Sequence, residues 1–163
     1  MSYTDLFTKC VEVILKNEGG YVNNKYDAGG ETNFGICKRY FPDLDIKNLT
    51  KNQAVQIYFN SYWSKMDLHG IDNEELVLQI FDMGVNAGTG RAIKMIQKIV
   101  HADVDGVMGP QTKGLINESK IDLVEPYKYE RKKYYFSLVR NNPSQQVFIA
   151  GWLNRIDHTK FIA

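Results

Sequence analysis

Cysteine is scarce in this chain. Its 163 residues hold only Cys10 and Cys37. Two cysteines do not make a disulfide framework. Cys10 lies on an apolar helical stripe, and the burial habit of cysteine favours free thiols, with a single bridge as the alternative. Histidine is scarce too. His69, His101 and His158 have no partner at metal-ligand spacing, so the sequence assigns no metal and no cofactor. Asp103 and Asp105 faintly resemble a calcium loop whose remaining ligands are missing. There is no Gly-x-Ser-x-Gly, no P-loop and no Gly-x-Gly-x-x-Gly. No apolar run reaches the ~18 residues of a membrane span. The N-terminal residues lack a basic region, a continuous apolar run and a small-residue cleavage site. The expectation is a protein made in the cytoplasm without a signal peptide and without membrane insertion. Neither sign of charge dominates, because 20 Lys and Arg face 19 Asp and Glu for a net charge of +1. That balance carries no nucleic-acid signature. Any grip on a large ligand must come from shaped contacts.

What is present is helical periodicity. Leu6, Phe7, Cys10, Val11, Ile14 and Leu15 recur every three or four residues, with Thr4 as N-cap and Gly19-Gly20 as the stop. From Tyr21 to Pro42 the pattern is irregular and glycine-punctuated, which predicts an active loop or a short β-hairpin near residues 21–36. Thr50 and Gln53 form a capping box, with Leu49 and Ala54 as a staple, and that helix runs to about Met66. Asp72 and Glu75 suggest a second box. After it, residues 76–85 are apolar on nearly every face, as in a helix buried at the centre of a domain. Thr89 starts the next helix. Pro110 opens a short one at the position where its missing N–H costs little. A long helix carries Tyr134, Tyr135 and Leu138, Asn141-Asn142-Pro143 breaks it, and a last helix carries Val147, Phe148, Trp152 and Ile156. The fold class is all-α with a short β element.

The densest chemical cluster is Glu18 and the loop after it. Glu18 ends an apolar-faced helix, where the dipole disfavours an anion. It reads either as a solvated, fraying glutamate or as a proton donor of the kind a glycosidase needs. Asp27 follows nine residues later and is either a turn residue or a second catalytic carboxylate. Two carboxylates flanking a cleft are what glycoside hydrolysis requires. Glu31 is a weaker candidate for that second role. Thr32 and Asn33 add hydroxyl and amide groups. Gly29, Gly30 and Gly35 let the backbone turn tightly or approach a ligand. Tyr58, Tyr62 and Trp63 suit either core packing or stacking on sugar rings. Asp82 and Asn86, at i and i+4 on the buried helix, must be satisfied by a structural hydrogen bond or line a cleft.

Residues 18–36 resemble the signature of glycoside hydrolase family 108: Glu18-Gly19-Gly20-Tyr21-Val22-Asn23, then Asp27, Gly29-Gly30, Thr32 and Gly35-Ile36. Ile57-Tyr58-Phe59-Asn60-Ser61-Tyr62-Trp63 is similar to the family's aromatic segment, and residues 81–88 to its central helix. Asp105-Gly106-Val107-Met108-Gly109-Pro110-Gln111-Thr112 resembles the Asp-Gly-x-x-Gly-Pro-x-Thr signature of small peptidoglycan-binding modules. Gly151-Trp152-Leu153-Asn154-Arg155 resembles the family's closing motif. Lys25 departs from the family's proline, and Cys37 from its threonine.

The resemblance implies a lysozyme-like helical fold and an N-acetylmuramidase. It divides the chain into a catalytic region, 1–88, and a peptidoglycan-binding-like helical region, 89–163, packed as one unit. It gives Glu18 the role of catalytic acid. Asp27 orients water or stabilises the transition state, and Thr32 supports it. The Asp–Thr gap is one residue shorter than in phage lysozymes, which the Glu18, Asp27, Thr32 order also resembles. Tyr21, Asn33, Tyr58, Tyr62, Trp63, Asp82 and Asn86 become substrate-binding candidates. The expected partner is the peptidoglycan glycan strand, met by a monomer that a holin or secretion system carries to the wall. Family members include phage endolysins and proteins labelled "secretion activator protein". A non-catalytic wall-binding or secretion-accessory protein is the alternative. A Cys37-based amidase or peptidase is a third reading, without a local histidine motif.

Overall fold

The computed structural model of the chain describes residues 2–23 and 30–161. It is mostly helical with one small antiparallel sheet, as the sequence predicts. Among the described residues, no helix is long and apolar enough to cross a membrane. The backbone groups into two units, Met1–Ser61 and Tyr62–Ala163.

In the first unit, α1 (Asp5–Glu18) begins where the Thr4 hydroxyl accepts the Phe7 N–H at 3.2 Å. The cap satisfies one of the helix's orphan donors, and Asp5 complements the positive end of the dipole. Its apolar stripe is fully interior at Phe7, Cys10 and Ile14. Burying side chains such as Phe7 and Ile14 contributes about 1.5–3 kcal/mol each. Gly19, at φ 73°, stops the helix directly after Glu18. Cys10 is buried and Cys37 half-buried.

The β element is a three-stranded sheet, β1 (Val22–Asn23), β2 (Glu31–Asn33) and β3 (Ile36–Cys37), in sequence order. Asn33 pairs with Ile36, so only Phe34 and Gly35 connect β2 to β3. Their φ angles are 52° and 79°. Two consecutive positive φ values define the mirror-image turn that matches the twist of a tight hairpin. Glycine adopts such a φ freely, but phenylalanine does so at a cost.

Then α2 (Lys51–Tyr58) opens with the capping box read from the sequence. Gln53 N–H reaches the Thr50 hydroxyl at 3.2 Å, and Thr50 N–H reaches the Gln53 side chain at 2.9 Å. The helix widens into a π segment at Phe59–Trp63 before α3 (Ser64–Met66). The ring of Phe59 packs on Tyr3 at 5.0 Å and on Phe7 at 5.1 Å.

The second unit is helical: α4 (Glu74–Ala87), α5 (Thr89–Ile99), α6 (Pro110–Asn117), α7 (Val124–Asn141) and α8 (Gln146–His158). Every residue of α4 from Leu76 to Gly84 is buried, which accounts for its unbroken apolar pattern. Its cap is Asn73 and not Asp72, since the Asn73 side chain accepts the Leu76 N–H at 3.1 Å. Thr89 is the first residue of α5 and Gly88 caps it. Pro110 occupies the first turn of α6. A short 3-10 turn, Pro143–Gln145, precedes α8.

Candidate active site

Glu18 is the last residue of α1 and is half-buried. The tip of the β2–β3 hairpin packs against its side chain. A Cβ placed on Gly35 would fall 2.6 Å from Glu18 Cγ and 2.7 Å from Cδ, and closer still to the Tyr58 hydroxyl. No side chain fits in that space. Gly35 is therefore required twice, for its positive φ and for the close approach of Glu18. The Tyr58 hydroxyl donates to the Phe34 carbonyl at 2.6 Å. That bond pins the carbonyl of the strained turn residue. Glu18, Gly35, Phe34 and Tyr58 thus converge from α1, the hairpin and α2 within the first unit.

The rest of the hairpin is anchored from behind. Asn33 is buried, and its amide donates to the Ile46 carbonyl at 3.0 Å and the Lys47 carbonyl at 3.4 Å. Both donor bonds hold the 46–47 loop, so Asn33 anchors the hairpin. Tyr58 is only 1% exposed, and its hydroxyl is bonded to the turn. Thr32 is half-buried at the centre of the sheet, paired with Val22 and Cys37. Tyr21 is exposed and its hydroxyl donates to Glu31 at 2.8 Å. The Glu31 carboxylate that accepts this bond pushes the Tyr21 hydroxyl's pKa up. Glu31 is thereby engaged with a tyrosine. Asp27 lies outside the described residues.

Further along, Tyr62 and Trp63 are half-buried within the π segment. Such segments occur often at functional sites. The Trp63 ring packs edge-on against Phe81 at 5.1 Å, so part of its surface serves the core of the second unit.

Asp82 sits on the buried run of α4. It is fully buried, with Arg155 Nη2 at 2.7 Å from one carboxylate oxygen and Arg131 bonded to the other. The Thr159 hydroxyl donates to it at 3.3 Å, and Gln79 links Arg131 to the Thr159 carbonyl. Burial alone would raise the Asp82 pKa. The Arg155 and Arg131 guanidinia outweigh that effect and hold it below the ordinary carboxylate value. An acid this fully neutralised is a structural ion cluster. Asn86, one turn on, is exposed, so the i, i+4 pair does not act together.

The Asp105–Thr112 segment is also spent internally. Buried Gln97 donates to Asp105 at 2.8 Å, the Val107 carbonyl at 2.9 Å and Thr112 at 3.1 Å. Its carbonyl accepts the Asp105 and Gly106 N–H groups at 3.1 and 3.0 Å. The Val107 N–H and the Gln97 amide together lower the Asp105 pKa. Sequence reasoning missed Gln97, whose position on a helical stripe reads only as polar, and Arg131, which sits 49 residues from Asp82.

The first unit thus holds a half-buried glutamate at a helix end, packed on a glycine turn. Residues 11–88 match the family model described as glycosyl hydrolase 108, and residues 91–157 match the one described as predicted peptidoglycan domain. The solved structure of Brucella abortus SagA is similar at 29% identity and a TM-score of 0.76, over 94% of this chain and 90% of that one. No curated protein sequence matches the chain. The first part of the chain is thus similar to glycoside hydrolase family 108, and the part after it to a peptidoglycan domain.

Proposed function

We propose that the chain is an N-acetylmuramidase that hydrolyses the β-1,4 bond between N-acetylmuramic acid and N-acetylglucosamine in peptidoglycan. The observation that carries this reading is the placement of Glu18. Its side chain packs on the backbone of Gly35, beside the Tyr58 hydroxyl, inside the segment that matches the hydrolase family. Glu18 protonates the glycosidic oxygen as the bond to the sugar breaks, leaving an oxocarbenium-like centre. Asp27 orients the attacking water or stabilises that centre, and Thr32 positions the water or Asp27. Their roles rest on the resemblance. Tyr21, Tyr62 and Trp63 offer ring faces to the glycan. The protein acts on the wall as a monomer after export or lysis.

Release of reducing sugar from purified peptidoglycan tests the proposal. Glu18→Gln removes the transferable proton, and a positioned acid contributes about 10²–10⁴-fold. The variant is expected to lose activity by that order while melting as the wild type does. Wild-type activity in the variant would sink the assignment. The matched peptidoglycan domain also favours a second reading, a wall-binding or secretion-accessory protein without catalysis. Wild-type chain retained on insoluble peptidoglycan with no sugar released would establish that reading instead.

A further inference from the structure

A groove of about 520 Å³ runs between α5 and α7 in the second unit. Arg91, Lys94 and Lys98 line it from α5, and Lys133, Tyr134 and Arg140 from α7, with Glu130 as its single carboxylate. Five cations face one anion here, although the whole chain carries a net charge of only +1. The rest of the molecule therefore holds an acidic surplus. Among the described residues, Lys133 pairs with Glu130 at 3.4 Å, while Arg91, Lys94, Lys98 and Arg140 have no ion-pair partner. Leaving so many like charges together without partners costs stability, and a bound anion would relieve it.

The groove is also shaped. The Arg91 guanidinium lies over the Tyr134 ring at 4.7 Å and donates to the Ala87 carbonyl at 2.8 Å. Stacking fixes the planar fork, which suits it to carboxylates. Arg91 and Lys98 are seven residues apart on one helix, as are Lys133 and Arg140 on the other. Each row thus spans about 10 Å. An extended peptide covers that length in about three residues. The loop at Asp105-Gly106 abuts the groove from the side, since a Cβ on Gly106 would stand 3.4 Å from Lys94 Cε. The segment that resembles wall-binding modules therefore buttresses the wall of this groove.

We infer that this groove binds a short extended peptide bearing several carboxylates, the chemistry of the stem peptides of peptidoglycan. The inference rests on the wall-directed reading above but not on the cleavage step. The acidic surplus elsewhere on the chain disfavours a long phosphate polymer, which would have to cross it.

Calorimetric titration of the full chain with a soluble stem tetrapeptide, its methyl ester, a poly(glycerol phosphate) and duplex DNA tests this. The free-acid peptide is expected to bind, more weakly as salt rises. Its methyl ester and Lys94→Glu/Lys98→Glu are each expected to bind about tenfold or more weakly. Lys98→Gln is expected to fall between, and both lysines are exposed, so helical circular dichroism is expected to stay as in the wild type. Equal binding of acid and ester, unchanged binding in the lysine variants, or preference for either phosphate polymer overturns the inference. Sugar release from peptide-free glycan strands is read alongside. Its absence counts against the muramidase reading alone, while failure of the wild-type chain to bind the free-acid peptide, with cleavage intact, counts against the groove alone.

Discussion

Glu18 and Asp82 are both carboxylates on helices, and each is enclosed in a different way. Asp82 is wholly interior, and its oxygens are taken by Arg131, Arg155 and Thr159. Glu18 is half-buried and packs on the backbone of a turn that has no side chain to offer. The first arrangement neutralises the acid and removes it from chemistry. The second gives it a fixed position beside a hydroxyl. In the one case ion pairs enclose the carboxylate, and in the other the backbone of a glycine does.

The contrast is broken most directly at Asp82. Asp82→Ala leaves the buried Arg131 guanidinium and the half-buried Arg155 one without their anion, and breaking a buried pair this way costs about 3–5 kcal/mol. Urea unfolding of the variant is expected to show that loss. Glu18→Gln, measured beside it, is expected to lose activity and little stability. Equal destabilisation by both would erase the distinction. Next in size is Gly35→Ala. The added methyl group must displace Glu18 or Tyr58, and misplacing a catalytic group by about 1 Å can cost on the order of 10²-fold in rate. The left-handed backbone adds about 1–2 kcal/mol of strain. Gly114→Ala serves as its control, because nothing lies within 4 Å of the new Cβ.

Acid sharpens the comparison further. The folded-state pKa of Asp82 is lower than its unfolded value. Its contribution to stability is therefore fully present above the unfolded value of about 4 and is lost as pH falls through the folded one. Thermal melts are expected to fall below about pH 4 in the wild type and to fall less in Asp82→Asn. Tyr58→Phe has the smallest expected effect. It removes one hydrogen bond to a turn carbonyl, about 1 kcal/mol, seen as a modest drop in the melting temperature. Because the turn is what meets Glu18, a drop in sugar release should accompany it.

Much of this was legible in the sequence, for local reasons. Thr4, the Thr50–Gln53 box, Gly19 and Pro110 act within four residues of themselves, so their helix ends could be read directly. The all-round apolar run of α4 announced its burial. The sheet was legible only as an irregular stretch, because strands of two and three residues are too short to show alternation. Long-range partnerships were not legible. Nothing near Asp82 names Arg131 or Arg155, nothing near Tyr58 points to the Phe34 carbonyl, and Asn33 gives no sign that its amide faces residues 46 and 47. In each case a polar side chain read as available for substrate was already committed to the backbone or to an ion pair. The position of Glu18 at a helix end before a glycine stop was legible because both are local features.

The Gln97 amide has a wider consequence. It bonds to four points of the Asp105–Thr112 loop through one nitrogen and one oxygen. The shape of that loop is therefore specified from outside it, by a residue eight positions upstream of its first member. Exchanging that single nitrogen for oxygen, as in Gln97→Glu, would turn the bonds to the Asp105 carboxylate and the Val107 carbonyl into repulsions while leaving every letter of the loop unchanged. Two proteins with identical loops but different residues at this helix position would then share a motif in spelling and not in form.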